Sequence, residues 1–250
     1  MTQQIHPTAI IEAGAQLGVG VVIGPYCVIG GKVKIGDHTH LASHVVVSGR
    51  TKIGEGCRIH AFASLGGAPQ HAKYAGEDVS LEIGARNTIR EYVSMNAGTP
   101  MGGGRTIIGN DGFFMTGCHV GHDCNIGNEV VLTNNALIAG HVEMGRGVIF
   151  GGGAAVHQRV RIGEFAMVGG LTGLENDLIP YGLCTGDRAE LSGLNLIGLK
   201  RRGFSREIIH ALRRAYRELF AQQGTLEERV SKVAAEFAAS AEVMNIVAFV

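Results

Sequence analysis

The chain of 250 residues has no tryptophan, and aromatic residues make up only 6% of it. Its 22 basic and 22 acidic residues leave no net charge, which argues against a general nucleic-acid or membrane-surface binder, since such proteins carry a basic excess. The apolar runs, such as residues 19–23, are far shorter than the ~18 residues of a membrane-spanning helix.

Cysteine is also scarce, with five residues and no Cys-x-x-Cys spacing, so neither a disulfide framework nor a zinc knuckle is indicated. The first residues show no basic patch followed by an apolar stretch, so no secretory signal is visible. The sequence therefore predicts a reduced, cytoplasmic protein without a transmembrane segment.

Glycine, in contrast, occupies 39 positions, and the apolar residues recur with a period of six. The repeat runs without a break from Ile5 to Leu65, resumes in phase from Ile83 to Met95, and returns, shifted by one position, from Ile108 to Leu174. Small residues fall four positions after each apolar one, and glycine often follows it directly, where we expect turns closed to other residues. This pattern predicts an all-β solenoid, a parallel β-helix of hexapeptide repeats in which three hexads form one coil.

The composition changes near residue 190, after which glycine becomes scarce and helical spacing begins. We predict a β-helical domain over residues 1–190 and a C-terminal helical domain over 191–250 that covers the open end of the solenoid. Ser205 is a plausible N-cap, Thr225 and Glu228 form the pattern of a capping box, and Ser240 is a third helix start.

Two insertions interrupt the repeat, at residues 66–82 and 96–107. Repeat proteins place such insertions on one face, which is often the binding face. The first insertion carries Gln70, His71 and Lys73 in close succession, which favours a substrate-contacting loop over a passive excursion.

Four histidines follow the second insertion, at positions 119, 122, 141 and 157. Asp123 follows His122 directly, and a carboxylate beside an imidazole suits general-base chemistry near neutral pH. Gly140 lies one coil after His122, where its N–H could stabilise an oxyanion. Because no nucleophile elbow, P-loop or dinucleotide motif is present, we expect direct attack of a bound acceptor on an activated acyl group.

The whole chain resembles a known family through a set of specific segments. These are Lys73–Glu77, Ile89–Glu91, Gly121–Cys124, Ala139–Val142, Ala155–Gln158 and Gly198–Glu207. They are similar to the acyl-[acyl-carrier-protein]–UDP-N-acetylglucosamine O-acyltransferases (the LpxA family), which begin lipid A synthesis. The resemblance implies a left-handed β-helix, a homotrimer with sites between neighbours, and a (3R)-hydroxyacyl donor carried on the phosphopantetheine of acyl carrier protein, with no metal or other cofactor.

The resemblance also assigns roles to individual residues. His122 would be the general base for the sugar 3-hydroxyl, supported by Asp123, and the Gly140 amide would bind the oxyanion. The remaining assignments concern substrate binding: Gln70 and Lys73 hold the sugar nucleotide, His119, His141, His157 and Gln158 line the cleft, Gly170 leaves room for a long acyl chain, Asn195 contacts the nucleotide, Arg202 binds phosphate, and Arg201 meets the carrier.

His71 departs from the family, which usually has Asp at this position. A histidine changes the charge and the donor–acceptor pattern there, so the 3-amino analogue of the sugar nucleotide, acylated to an amide, is a second possible acceptor. Three rival functions also stay open: another hexapeptide-repeat acyltransferase, a zinc enzyme of the γ-carbonic-anhydrase type with histidines at a trimer interface, and a non-catalytic scaffold.

Overall fold

A computed structural model of the protein describes residues 3–250, so Met1 and Thr2, the first residues of the predicted β-helical domain, lie outside the described residues. The chain winds through three sheets, which we call sheet A (eleven strands), sheet B (nine) and sheet C (eight). The strands of successive coils pair in parallel; Ile5, for example, is in register with Ile23. The period-six pattern therefore winds as the predicted three-sided parallel coil.

The strands are short because each side of a coil holds only one hexad. The first fourteen are β1 (Gln4–Ile5), β2 (Ile10–Ile11), β3 (Gln16–Leu17), β4 (Val22–Ile23), β5 (Val28–Ile29), β6 (Lys34–Ile35), β7 (His40–Leu41), β8 (Val46–Val47), β9 (Arg50–Ile53), β10 (Arg58–Ile59), β11 (Ser64–Gly67), β12 (Ser80–Ile83), β13 (Thr88–Ile89) and β14 (Ser94–Asn96). The others are β15 (Arg105–Ile108), β16 (Phe113–Phe114), β17 (His119–Val120), β18 (Asn125–Ile126), β19 (Val131–Leu132), β20 (Leu137–Ile138), β21 (Glu143–Met144), β22 (Ile149–Phe150), β23 (Ala155–Val156), β24 (Arg161–Ile162), β25 (Met167–Val168), β26 (Gly173–Leu174), β27 (Gly182–Thr185) and β28 (Glu190–Leu194).

The core is a column of aliphatic side chains on the solenoid axis. Nearly every apolar residue of the period from Ile23 onward is buried, as are the small residues four positions later. All five cysteines are buried and free, and burial raises the pKa of the Cys118 thiol to about 11 and that of Cys124 to about 12. These thiols are therefore packing groups.

The expected reason for glycine after each core residue is wrong. The left-handed backbone conformation instead lies two residues after these glycines, three positions after the core residue. Non-glycine residues such as Tyr26, Arg86 and Asp123 occupy that position. The glycines are required by close stacking: a Cβ on Gly54 would lie 2.6 Å from the backbone of Gly84 in the next coil. Backbone approach between coils, rather than turn conformation, excludes larger residues there.

Three corners join the sheets, and we name each by the sheets it connects. The AB corner includes residues 24–27, the BC corner 121–124 and the CA corner 127–130. Both insertions leave the solenoid at the BC corner, as the loops 68–79 and 97–104, and a 3-10 turn at Pro100–Gly102 lies in the second. The insertions and His122 therefore share one edge of the molecule.

The solenoid ends in an antiparallel pair, β27 with β28, so strands continue to Leu194, beyond residue 190. Four helices follow: α1 (Leu196–Arg201), α2 (Arg206–Leu219), α3 (Leu226–Glu236) and α4 (Ala241–Phe249). The Ser205 and Ser240 N-caps and the Thr225–Glu228 capping box are confirmed, whereas α1 had no counterpart in the sequence-based prediction. Within residues 3–250, none of the helices combines the length and apolar character needed to cross a bilayer.

Candidate active site

A histidine–aspartate pair stands at the BC corner, directly after β17. His122 Nδ1 lies 2.8 Å from Asp123 Oδ2, and the imidazole is 12% exposed while the carboxylate is fully buried. Because a carboxylate only accepts hydrogen bonds, this contact places the ring proton on Nδ1 and leaves the lone pair of Nε2 free. The pair therefore has the geometry of an oriented general base.

The second insertion holds the Asp123 carboxylate. The Thr99 amide donates to Oδ1 at 2.6 Å and the Thr99 hydroxyl donates to Oδ2 at 2.6 Å, while the Asp123 amide donates to Thr106 Oγ1 at 2.8 Å. Burial alone would raise the pKa of Asp123, but the hydrogen bonds from Thr99 and His122 outweigh it and lower the pKa. Asp123 is thus a buried anion beside the His122 imidazole.

Two more imidazoles surround the His122 ring. The His141 ring lies edge-on at 5.1 Å between centroids and the His71 ring, from the first insertion, lies edge-on at 5.3 Å. His141 Nε2 is 3.6 Å from Asp123 Oδ2. The pKa of His141 is lowered, chiefly by burial, although the Asp123 charge opposes the shift. The structure thus brings His122 and His141 against one carboxylate and places His71 against the ring of His122.

Gly140 stacks on this cluster from the next coil. A Cβ at this position would lie 2.6 Å from Cε1 of His122, so only glycine lets the ring occupy its place. Within residues 3–250, no hydrogen-bond acceptor is found for the Gly140 amide. Gly140 also lines a cavity of about 410 Å³, together with the predicted residues His157 and Gln158. A polar substrate group in this cavity would meet a free N–H beside the base.

The cluster also has the composition of a metal site. One ligand atom from each of His122, Asp123 and His141 lies within 4.8 Å of the others. Both carboxylate oxygens, however, already accept hydrogen bonds, Oδ1 from Thr99 and Oδ2 from Thr99 and His122. A cation bound to Asp123 would compete with these bonds, so the donor set fits an oriented base better than a metal centre.

Comparison with known proteins assigns the chain to a family. A curated protein from Rhizobium johnstonii, named acyl-[acyl-carrier-protein]–UDP-N-acetylglucosamine O-acyltransferase, is 45% identical over 247 residues, covering 99% of this chain and 91% of that protein. The chain belongs to the UDP-N-acetylglucosamine O-acyltransferase family. A protein of the same name from Paracoccus denitrificans is 58% identical over 166 residues, 66% of this chain and 62% of that protein. Residues 177–250 of the acyltransferase match the family description "Udp N-acetylglucosamine O-acyltransferase; Domain 2", and residues 14–49 and 32–67 match bacterial transferase hexapeptide repeats.

Solved structures of family members have the same fold as this acyltransferase. The enzyme from Moraxella catarrhalis superposes with a TM-score of 0.95 at 41% identity, covering 97% of this chain and 95% of that one. The enzyme from Campylobacter jejuni gives 0.93 at 39% identity, over 98% and 95% of the two chains. The predicted left-handed parallel β-helix with a helical C-terminus is therefore confirmed.

Other predicted site residues of the acyltransferase do not contact the Asp123 carboxylate. His119 faces outward from sheet B, where its Nδ1 is 2.8 Å from Ser94 Oγ, and burial, with a smaller effect of His122, lowers its pKa. Gln70 and Lys73 are exposed on the same loop as His71. Gly170 is exposed at the AB corner, away from the BC corner of the base.

Asn195, Arg201 and Arg202 lie elsewhere in the acyltransferase. Asn195 is buried as the N-cap of α1; its side chain accepts from the Gly198 amide and donates to the Phe165 carbonyl, both at 3.0 Å. Arg202 donates to Glu129 at 3.0 Å and to the Gly147 carbonyl at 3.3 Å, at the CA corner. Within one chain, these residues are thus not gathered around His122.

Four residues that position the site were missed by sequence reasoning. They are Ser94, Thr99, Gly102 and Thr106. Thr99 lies in an insertion that the sequence marks as functional, but nothing local indicates that it reaches Asp123. A Cβ on Gly102 would lie 2.1 Å from the Asp123 carboxylate, which explains the glycine there.

Proposed function

We propose that this acyltransferase moves a (3R)-hydroxyacyl chain from acyl carrier protein to the 3-position of UDP-N-acetylglucosamine, the first step of lipid A synthesis. The names of its relatives supply the donor and the acceptor. The observation that carries the mechanism is the His122–Asp123 pair beside the amide of Gly140; within residues 3–250, neither His122 Nε2 nor that amide has a hydrogen-bond partner.

The reaction follows from this geometry. His122 Nε2 accepts the proton of the sugar 3-hydroxyl as the oxygen attacks the thioester carbonyl. Asp123 stabilises the resulting imidazolium, and the Gly140 amide donates to the oxyanion of the tetrahedral intermediate. The intermediate collapses with cleavage of the carbon–sulfur bond, and His122 returns the proton to the departing phosphopantetheine thiolate.

Direct transfer of the acyl chain, without an acyl-enzyme, agrees with the surroundings of the side chains that could act as nucleophiles. Burial raises the pKa of the described cysteine thiols, which suits packing rather than attack. Ser94 and His119 form a hydroxyl–imidazole pair, but within residues 3–250 no carboxylate orients that imidazole. We therefore expect the Ser94→Ala variant to retain activity within a few-fold of wild type, with no acyl-enzyme in mass spectra.

The outward residues of the three sheets support assembly into a homotrimer. Sheet C presents polar and charged residues such as Lys34, Lys52 and Glu82, whereas sheets A and B present apolar ones such as Phe113 and Leu137. Packing sheet A of one copy on sheet B of the next buries these residues and points the AB corners inward. The BC corner of one copy then meets the CA corner of its neighbour, which brings Arg202 of one chain towards His122 of another.

The carrier would dock on the first two helices. Lys200, Arg206 and Arg213 line a cavity of about 410 Å³ whose other walls include Phe204 and Ile209. Acyl carrier proteins are acidic, so a basic rim would speed their encounter, and apolar walls would hold the docked helix. Arg214 of α2, in contrast, is engaged within the chain, since it pairs with Glu236.

The 3-amino sugar nucleotide is the alternative acceptor, because His71 contributes an imidazole next to His122. A neutral imidazole can accept from an amine or donate to a hydroxyl, so geometry alone admits both acceptors. The test is turnover of the 3-hydroxy and 3-amino nucleotides in one mixture, with the product identified by mass spectrometry. A strong preference for the hydroxyl ends the amide alternative.

The central experiment assays purified protein with hydroxyacyl carrier proteins and UDP-N-acetylglucosamine. We expect His122→Ala to lower kcat by about 10²–10⁴-fold with the fold retained, since that is the usual contribution of a general base. An unchanged rate would contradict the mechanism and favour a scaffold. His60→Ala, which removes an imidazole from the AB corner, is the matched control.

Zinc analysis addresses the hydratase alternative. A zinc enzyme of that type would contain stoichiometric metal bound by the histidines, and a chelator would abolish its activity. The acyltransferase proposal predicts that the transfer rate is unchanged by a chelator. Loss of acyl transfer on metal removal, with recovery on adding zinc, would contradict it.

A further inference from the structure

A second cavity lies on sheet C beside the insertions, outside the proposed transfer site. Its volume is about 540 Å³, within the range of small-molecule sites. Five cationic side chains line it, against two carboxylates, those of Asp78 and Glu82. The cations are Lys32, Lys34, Arg50, Lys52 and Arg105. The acyl-transfer mechanism uses none of them.

The cations are placed where they repel one another. Lys34 and Lys52 are directly paired on the outer face of β6 and β9, and like charges at such paired positions are destabilising. Asp78 lies 3.7 Å from both Lys32 and Arg50, but all three side chains are more than half exposed, so these ion pairs are weak. The cavity therefore keeps a net positive charge that the chain itself does not neutralise.

The remaining wall is bare backbone. Gly103 and Gly104 line the cavity with φ of 92° and 78°, and a Cβ at either position would meet nothing within 4 Å. Within residues 3–250, no acceptor is found for the Gly103 amide. Glycine backbone that faces several Lys and Arg side chains is an arrangement that suits phosphate oxygens.

We propose that this cavity binds a small anion that carries a diphosphate group. Its concave shape suits a small molecule better than a protein surface, and five cations exceed what a single phosphate requires. The site is separate from the transfer cleft but adjoins it, because Gly102 of the same loop packs on Asp123 and the Thr99 carbonyl accepts from the Gly104 amide at 2.8 Å.

The test is calorimetric titration of the protein with inorganic pyrophosphate in the absence of sugar nucleotide, since UDP-N-acetylglucosamine itself carries a diphosphate and would compete for the cavity. We expect one pyrophosphate per chain, with an affinity that falls as salt rises. The Lys34→Ala/Lys52→Ala variant should bind at least about tenfold more weakly, since a hydrogen bond to a charged group contributes that much or more. Lys232→Ala, in α3, is the control and should bind as wild type.

Two results would overturn the proposal: no pyrophosphate binding, or equal binding by the double variant. The second would assign pyrophosphate to another place, such as the acceptor cleft. A thermal melt provides a second readout. Without ligand the double variant should melt at or above the wild-type temperature because repulsion is relieved, and pyrophosphate should raise the Tm of wild type alone. A large fall in the Tm of the double variant without ligand would instead show that the two lysines support the fold.

Discussion

The imidazole of His122 rests on the backbone of Gly140, one coil further along, so closely that a methyl group there would lie 2.6 Å from the ring. We therefore expect Gly140→Ala to displace the ring and to lower kcat by about 10²-fold, the usual cost of misplacing a catalytic group by about 1 Å. Steady-state kinetics measures this effect. In the control, Gly152→Ala, the new Cβ finds its nearest neighbour at 3.6 Å, and activity should be kept. Equal activity of the two variants would contradict the assigned geometry.

Thr99 positions Asp123 through two hydrogen bonds, and Thr99→Val removes only the one from the hydroxyl. We expect kcat to fall about tenfold, as for loss of one hydrogen bond to a charged group, with KM nearly unchanged. The pKa of Asp123 should also rise. A carboxylate whose pKa is lower in the folded chain than in the unfolded chain stabilises the fold at pH values above the unfolded pKa. This stabilisation is lost as pH falls through the folded pKa. Because Thr99→Val raises the folded pKa of Asp123, acid unfolding of the variant should begin at higher pH than that of wild type. Thr185→Val, at a hydroxyl that pairs with Ser192, is the control; an identical acid transition in both variants would exclude the positioning role.

A site shared between chains predicts complementation between two inactive variants. His122→Ala lacks the base, and Arg202→Ala lacks the arginine at the CA corner. If His122 of one subunit works with Arg202 of its neighbour, every trimer that contains both variants should recover one of its three sites, about a third of the wild-type activity. The measurement is the specific activity of co-expressed protein purified through a different tag on each variant. Absence of recovery would show that each chain builds its own site, and full activity of Arg202→Ala alone would show that Arg202 has no part in it.

Gly170 is predicted to set the length of the acyl chain. A Cβ there would meet the Gly152 carbonyl oxygen at 3.4 Å, an ordinary contact, so a side chain can project from the AB corner without disturbing the coil. We expect Gly170→Met to shift the preferred donor to a shorter hydroxyacyl chain while total turnover with the best donor stays within about tenfold. Competition among donors of different length, read by mass spectrometry, checks this. An unchanged product distribution would place the end of the acyl chain elsewhere.

The partly buried His119 makes the free energy of unfolding depend on pH. Burial, with a smaller effect of His122, lowers the pKa of His119, so the unfolded chain takes up a proton at a higher pH than the folded chain does. The contribution of His119 to the free energy of unfolding is therefore present above the ordinary histidine pKa and declines as pH falls through that pKa. We expect the Tm of wild type to fall more between pH 7 and pH 5 than that of His119→Gln. Parallel curves would show that His119 is not the group responsible.

The repeat and the caps of the predicted helices were predictable because they depend on neighbours in sequence. A six-residue spacing places every core side chain on the axis, and Ser205, Thr225 and Ser240 cap helices through contacts three residues away. The His122–Asp123 contact was predictable for the same reason, since the two residues are adjacent. Gly140 was recognisable by its spacing of one coil from His122, because stacking converts a fixed sequence interval into a contact.

The tertiary structure alone decided how the insertions return to the solenoid. Their residues obey no period, so nothing local could show that Thr99 would reach Asp123 or that His71 would stand against His122. It also decided that Arg202 lies at the CA corner while His122 lies at the BC corner, which is why the proposed shared site takes the two residues from different chains. Local interactions specify the coil, but the contacts that complete the site join segments whose separation is set by loop path and packing.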